Sequence, residues 1–166
     1  ILHEEESVRL AMNTALDEPR LVERDREYLL VSDISAGLER KAAVEIAEHV
    51  RMQEKYNGAV GAVGSIYLGE DLERGIYDRC VKVYTRLDKK TVSHRVQNRP
   101  EGTYVELYSR GHLWNMEKSS RLITAFAGER GIRLGKIWYE DLMLDELTVK
   151  AYEQYIAKVM VPVGNP

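Results

Sequence analysis

The sequence is short of several things, and each shortage closes a class of function. A single cysteine, Cys80, allows neither an internal disulfide nor a four-cysteine zinc site. Its histidines, His3, His49, His94 and His112, are scattered rather than set at metal-ligand spacing, which argues against a zinc centre. Basic charge is also lacking: 24 Lys and Arg face 27 Asp and Glu, so the chain alone has no cationic excess for nucleic-acid phosphates. No apolar run approaches a membrane span and no basic-then-apolar signal opens the chain, so no membrane partner is expected and the cytoplasm is the expected compartment. The glycine-rich stretch Gly58 to Ser65 has neither the lysine nor the following helix of a phosphate cradle. No cofactor is expected.

Phenylalanine is scarce too. One Phe against ten Tyr and two Trp makes the aromatic supply one of rings with polar handles. Such rings suit places where aromatics meet ligands or water, and they equally suit plain sheet surfaces.

What remains fits one α+β domain with a real core. A short helix, His3 to Leu16, ends before Pro19. Strand character follows at Glu27 to Ile34, then an amphipathic helix at Glu39 to Tyr56 with Ala43, Ile46, Ala47 and Val50 as its apolar stripe. Two strands are expected at Gly64 to Asp71 and Tyr77 to Leu87, with a short one near Val92 to Gln97. The pattern then recurs: strand Gly102 to Gly111, a helix capped by Asn115 with Leu122, Ile123, Phe126 and Ala127 as its stripe, then strands Gly135 to Leu144 and Tyr152 to Val163.

Strand, helix, strand, strand thus occurs twice. Tyr28 corresponds to Tyr104, Ile66-Tyr67 to Ile137-Trp138, and Tyr77-Asp78 to Tyr152-Glu153. The expected architecture is two pseudo-symmetric halves, about 23–88 and 91–163, with antiparallel sheets, helices packed on one side and a central cleft for a ligand.

The turn-strand "PEGTYVELYSRG", the helix after it, "IWYEDL" and the closing "YIAKVMVPV", in this order, resemble the GyrI-like effector-binding domain found at the C-terminus of MerR-family multidrug-sensing regulators. The resemblance covers about residues 23–163. It implies a cleft of aromatics around a buried acid that receives lipophilic, cationic aromatic molecules. It also implies that residues 1–18 end a linker and dimerisation helix, a route to a homodimer, and that DNA is bound only through an N-terminal domain. Glu140 matches the acid and Tyr104 is the next best match.

Read from the residues, Trp138 and Glu140 share one strand face, with Tyr67 equivalent to Trp138 in the first half. Glu140 is either a carboxylate held among rings or a solvated strand-end acid beside Lys136. Tyr104, Glu106 and Tyr108 share a second candidate face, with Val105 and Leu107 turned under the helices. Trp114 is either a lid over the cleft or a packing residue. An enzymatic alternative, a GyrI-like hydrolase of electrophilic natural products, would use Glu140 as a general base. No Ser-His-Asp or Cys-His set accompanies it, so a sensor is expected rather than an enzyme. A free-standing small-molecule binder or gyrase-inhibitor-like module is the third class.

Overall fold

The computed structural model describes residues 15–35, 39–56, 59–110, 115–144 and 156–164. The expected helix His3 to Leu16 lies outside these residues except for its last two. The strands are β1 (Arg20–Arg24), β2 (Glu27–Asp33), β3 (Ala59–Leu68), β4 (Lys82–Leu87), β5 (Val96–Arg99), β6 (Gly102–Arg110), β7 (Ile137–Leu144) and β8 (Ile156–Pro162). The helices are α1 (Glu39–Gln53), a short α2 (Gly69–Glu73) and α3 (Glu117–Arg130).

All eight strands join one antiparallel sheet in the order β1-β6-β8-β7-β3-β4-β2-β5. Read outward from the centre, β7-β8-β6-β1 on one side mirrors β3-β4-β2-β5 on the other. The duplication legible in the sequence is therefore a pseudo-two-fold in space, and β3 and β7 form its seam. Tyr67 and Trp138, equivalent in the two halves, are also directly opposite each other across that seam. The axis passes between these two rings.

The strands with the most continuous apolar runs sit inside the sheet, as strands covered on both faces should. In β6, Val105 and Leu107 pack on the helix face with Val159, Val161, Trp138 and Ile123 of α3. Tyr104 turns to the other face, where it joins Leu29, Val31, Tyr84, Tyr139 and Met160. Gly131 ends α3 in the left-handed conformation (φ 65°), which glycine adopts without a Cβ penalty.

The strand expected at Gly64 to Asp71 starts earlier, at Ala59, and gives way to α2 at Gly69, and the short strand near Val92 to Gln97 lies at Val96–Arg99. Three further differences have a visible cause. Strand β1 was not expected, because only Leu21 and Val22 interrupt its charged residues; its basic side chains are what dock it, on Glu106 of β6. Strand β4 starts at Lys82 rather than Tyr77, because Asp71 holds Arg79 in a two-point ion pair and the Tyr77 carbonyl accepts from Met116, which keeps 77–81 as a loop. The α1 stripe is rotated: Ala43, Ala47 and Val50 are exposed, while Ile46 and His49 turn toward the sheet.

The reason is a satisfied polar network. Thr85 donates to Gln53 (2.6 Å), so its oxygen accepts from His49 Nε2 (3.0 Å), and His49 Nδ1 accepts from Ser32 (2.7 Å). A neutral imidazole thus pins α1 to β2 and β4. Burial, with the Arg95 charge assisting, lowers the pKa of His49. The unfolded chain then binds the proton more readily, so this contribution is complete above the ordinary histidine value of about 6.5 and is lost as pH falls toward the folded value. We expect Tm to decline between about pH 7 and 5 in the wild type, and His49→Asn to flatten that slope in thermal scans.

Gly64 supplies a second prediction. A Cβ there would collide with the ring of Tyr84, whose hydroxyl donates to buried Asp141. Gly64→Ala is expected to cost about 1–3 kcal/mol by overpacking, read as a lower urea midpoint.

Candidate functional site

Strand alternation sends the adjacent acids of β7 to opposite faces of the sheet. Glu140 lies opposite Ser65 of β3 and Val159 of β8, on the helix face with Trp138. It is 5% exposed in the middle of the sheet, which does not fit the alternative of a solvated strand-end acid beside Lys136. The carboxylate lines a cavity of about 230 Å³, walled by Ala157 and Val159 of β8, Ser109 of β6, and Lys118 and Ser119 in the first turn of α3.

Two rings at the pseudo-two-fold share the helix face with Glu140. Trp138 is two residues away on the same face, and Tyr67 faces Trp138 across the seam. Burial, and after it the Glu140 charge, push the Tyr67 phenol well above its ordinary range. Its hydroxyl is buried beside the Ser65 side chain. Burial likewise raises Cys80, which donates to the Lys82 carbonyl (3.0 Å) and packs against the same core as Tyr67.

The other sequence candidates stand elsewhere. Tyr104, Glu106 and Tyr108 are on the opposite face, and all three are buried. Glu106 is paired with Arg20 (2.8 Å) and Arg24, the Tyr104 hydroxyl donates to the Pro100 carbonyl (2.6 Å), and Arg20 lies over the Tyr108 ring (5.5 Å). The sheet therefore divides the candidates into Glu140, Trp138 and Tyr67 on one side and the Tyr-Glu-Tyr set on the other. Trp114 lies outside the described residues.

Sequence reasoning missed the second acidic centre. Asp141 points away from the helices and is held by Arg99 (3.4 Å), Lys158 (3.4 Å) and the Tyr84 hydroxyl. Burial alone would raise its pKa; the Arg99, Lys158 and Arg86 charges outweigh that and hold the carboxyl well below the usual carboxylate range. The Arg99 guanidinium sits over the rings of Tyr84 (5.7 Å) and Tyr139 (5.2 Å) and bonds Glu27 through Nε (2.6 Å). Burial disfavours its charge, yet Asp141, Tyr84 and Glu27 together raise its pKa. The signal available in the sequence was the Glu-Asp pair itself, since period-two alternation must put one acid on each face.

Chemically, the Glu140 cavity offers two apolar side chains, two serine hydroxyls and a buried carboxylate, with Arg110, Glu117 and Lys118 as further charges; the expected aromatic lining is not among its described wall residues. No cluster of His, Cys, Asp or Glu that could hold a metal ion occurs among the described residues. No helix among the described residues is long and apolar enough to cross a membrane.

No family model matches the chain. A curated relative, the multidrug-efflux transporter 2 regulator of Bacillus subtilis, is 31% identical over 127 residues, which is 75% of this chain. The chain spans 45% of that relative's length. Among solved structures, the EcmrR C-terminal domain superposes with a TM-score of 0.68 at 10% identity, covering 90% of this chain and 98% of that one. A hydrolase encoded by lin2189 from Listeria innocua gives 0.61 at 14% identity, covering 97% and 98%. SAV2435 bound to tetraphenylphosphonium gives 0.51 at 13% identity, covering 89% and 94%.

Proposed function

This chain has the GyrI-like fold of MerR-family effector-binding domains, and from that premise we propose that it is the effector-binding part of a MerR-type multidrug-sensing regulator, taking lipophilic aromatic cations in the Glu140 cavity. Residues 23–163 form the sensing domain. Residues 1–18 belong to the linker through which the full-length protein dimerises and reaches its DNA-binding domain.

The observation that carries this reading is Glu140 itself: a carboxylate 5% exposed, on a cavity wall, beside the Tyr67 and Trp138 rings of the seam. A cation at about 4 Å from it gains roughly 4 kcal/mol at an effective dielectric near 20. An aromatic ligand burying about 300 Å² of apolar surface adds roughly 7 kcal/mol, and association costs at least about 4 kcal/mol in return. The balance is micromolar binding in which area supplies affinity and charge selects cations. A carboxylate and apolar walls suffice for that; turnover of an electrophile demands an activated water or nucleophile as well.

Tetraphenylphosphonium, the ligand of one structural neighbour, is the probe for the test. Titrated into the protein, it is expected to quench tryptophan fluorescence with a Kd in the micromolar range. Absence of saturable binding by this and other aromatic cations overturns the reading.

A further inference from the structure

Asp17 ties the chain that enters the domain to the wall of the Glu140 cavity. Its carboxylate accepts from the Ser109 hydroxyl (2.9 Å) through one oxygen and pairs with the Lys118 ammonium (2.8 Å) through the other. Ser109 and Lys118 both line the cavity, one from β6 and one from α3. The backbone amide of Asp17 donates to the Tyr108 carbonyl (2.7 Å), and Leu16, one residue earlier, packs against the Tyr108 and Ile156 pair. Asp17 is also the one described residue other than glycine with a positive φ (61°), a conformation that Asp and Asn tolerate better than most side chains. The chain therefore turns sharply at the point where it touches both cavity walls.

We propose that Asp17 is a positioning residue that reports cavity occupancy to the segment preceding it, through Lys118. This rests on the function proposed above. A cation beside Glu140 places like charge next to Lys118, so an inward position of the ammonium becomes unfavourable and Asp17 is left as its best partner. Occupancy of the cavity thus holds the hook more firmly. Asp17 and Lys118 are both partly solvated, and an exposed ion pair is weak by itself. A modest electrostatic change nearby is then enough to shift it, as a sensing contact requires.

The coupling acts on a backbone hydrogen bond, so it is read by amide hydrogen exchange. In the full chain, saturating tetraphenylphosphonium is expected to slow exchange of the Asp17 amide at least fivefold. Asp17→Asn keeps the turn geometry and an oxygen for Ser109 while removing the charge that holds Lys118. This variant is expected to bind tetraphenylphosphonium still and to lose most of the slowing. If the cation binds the wild type without changing the Asp17 amide, or slows it equally in Asp17→Asn, the hook is refuted and the sensor reading survives. If the cation does not bind at all, both fall together.

Discussion

Replacing Arg99 by Met is expected to destabilise the domain by about 3–5 kcal/mol, the cost of removing one partner from a buried charge pair. The guanidinium is 2% exposed and ends β5, the edge strand on the β3 side of the sheet. It meets Glu27 of β2 on that side and Asp141 of β7 across the seam, so it ties the two sides of the sheet together. With Arg99 gone, Asp141 stays buried with Lys158, the Tyr84 hydroxyl and the more distant Arg86 charge against it, and its strongest counter-charge is lost. The rings of Tyr84 and Tyr139 lose a cation worth about 0.5–2 kcal/mol by its attraction to their faces. Urea denaturation followed by circular dichroism reads the effect. The triple variant Arg99→Met, Asp141→Leu, Lys158→Met, which also removes the buried ammonium paired with Asp141, is expected to recover much of the loss, because the penalty is an unpaired buried charge rather than lost packing. A triple variant as unstable as the single would show the effect to be steric.

Glu140→Gln carries the second large effect. The substitution keeps the size of the side chain and removes its charge, so aromatic cations should weaken by about 1–3 kcal/mol, the value of a charge-assisted contact. Triphenylphosphine oxide, neutral and of similar aromatic area, should change little. The comparison separates charge selection from simple hydrophobic capture, and isothermal titration of both compounds against both proteins measures it. Equal weakening of the two compounds would defeat charge selection. Glu106 makes a useful contrast: its carboxylate is fully buried under Arg20 and Arg24, so Glu106→Gln should act on stability before it acts on any ligand.

Much of the fold was legible because it is repeated. Strand alternation in "TYVELYS" separates Val105 and Leu107, which pack under α3, from Tyr104, which packs on the other face. The sequence matched Tyr67 with Trp138; the structure adds that the two lie opposite each other, as residues on a two-fold between paired antiparallel strands must. The same alternation explains what misled. It says that Glu140 and Tyr104 can each face a ligand, but not that the sheet stands between them, because register between strands far apart in sequence is a tertiary property. The α1 stripe failed for a related reason: periodicity reads apolar residues, and the inward face of α1 is held by the hydroxyl, imidazole and amide network around His49. β1 was invisible because its docking is electrostatic, with Arg20 and Arg24 reaching an acid more than eighty positions away.

The central claim is that a lipophilic cation lies on the helix face of the sheet, against Glu140. Intermolecular NMR Overhauser contacts from the phenyl protons of bound tetraphenylphosphonium test it most directly. The account predicts contacts to the methyl groups of Ala157 and Val159, which share the cavity with Glu140. Contacts confined to Tyr104 and Met160, on the far side of the same sheet, would contradict it.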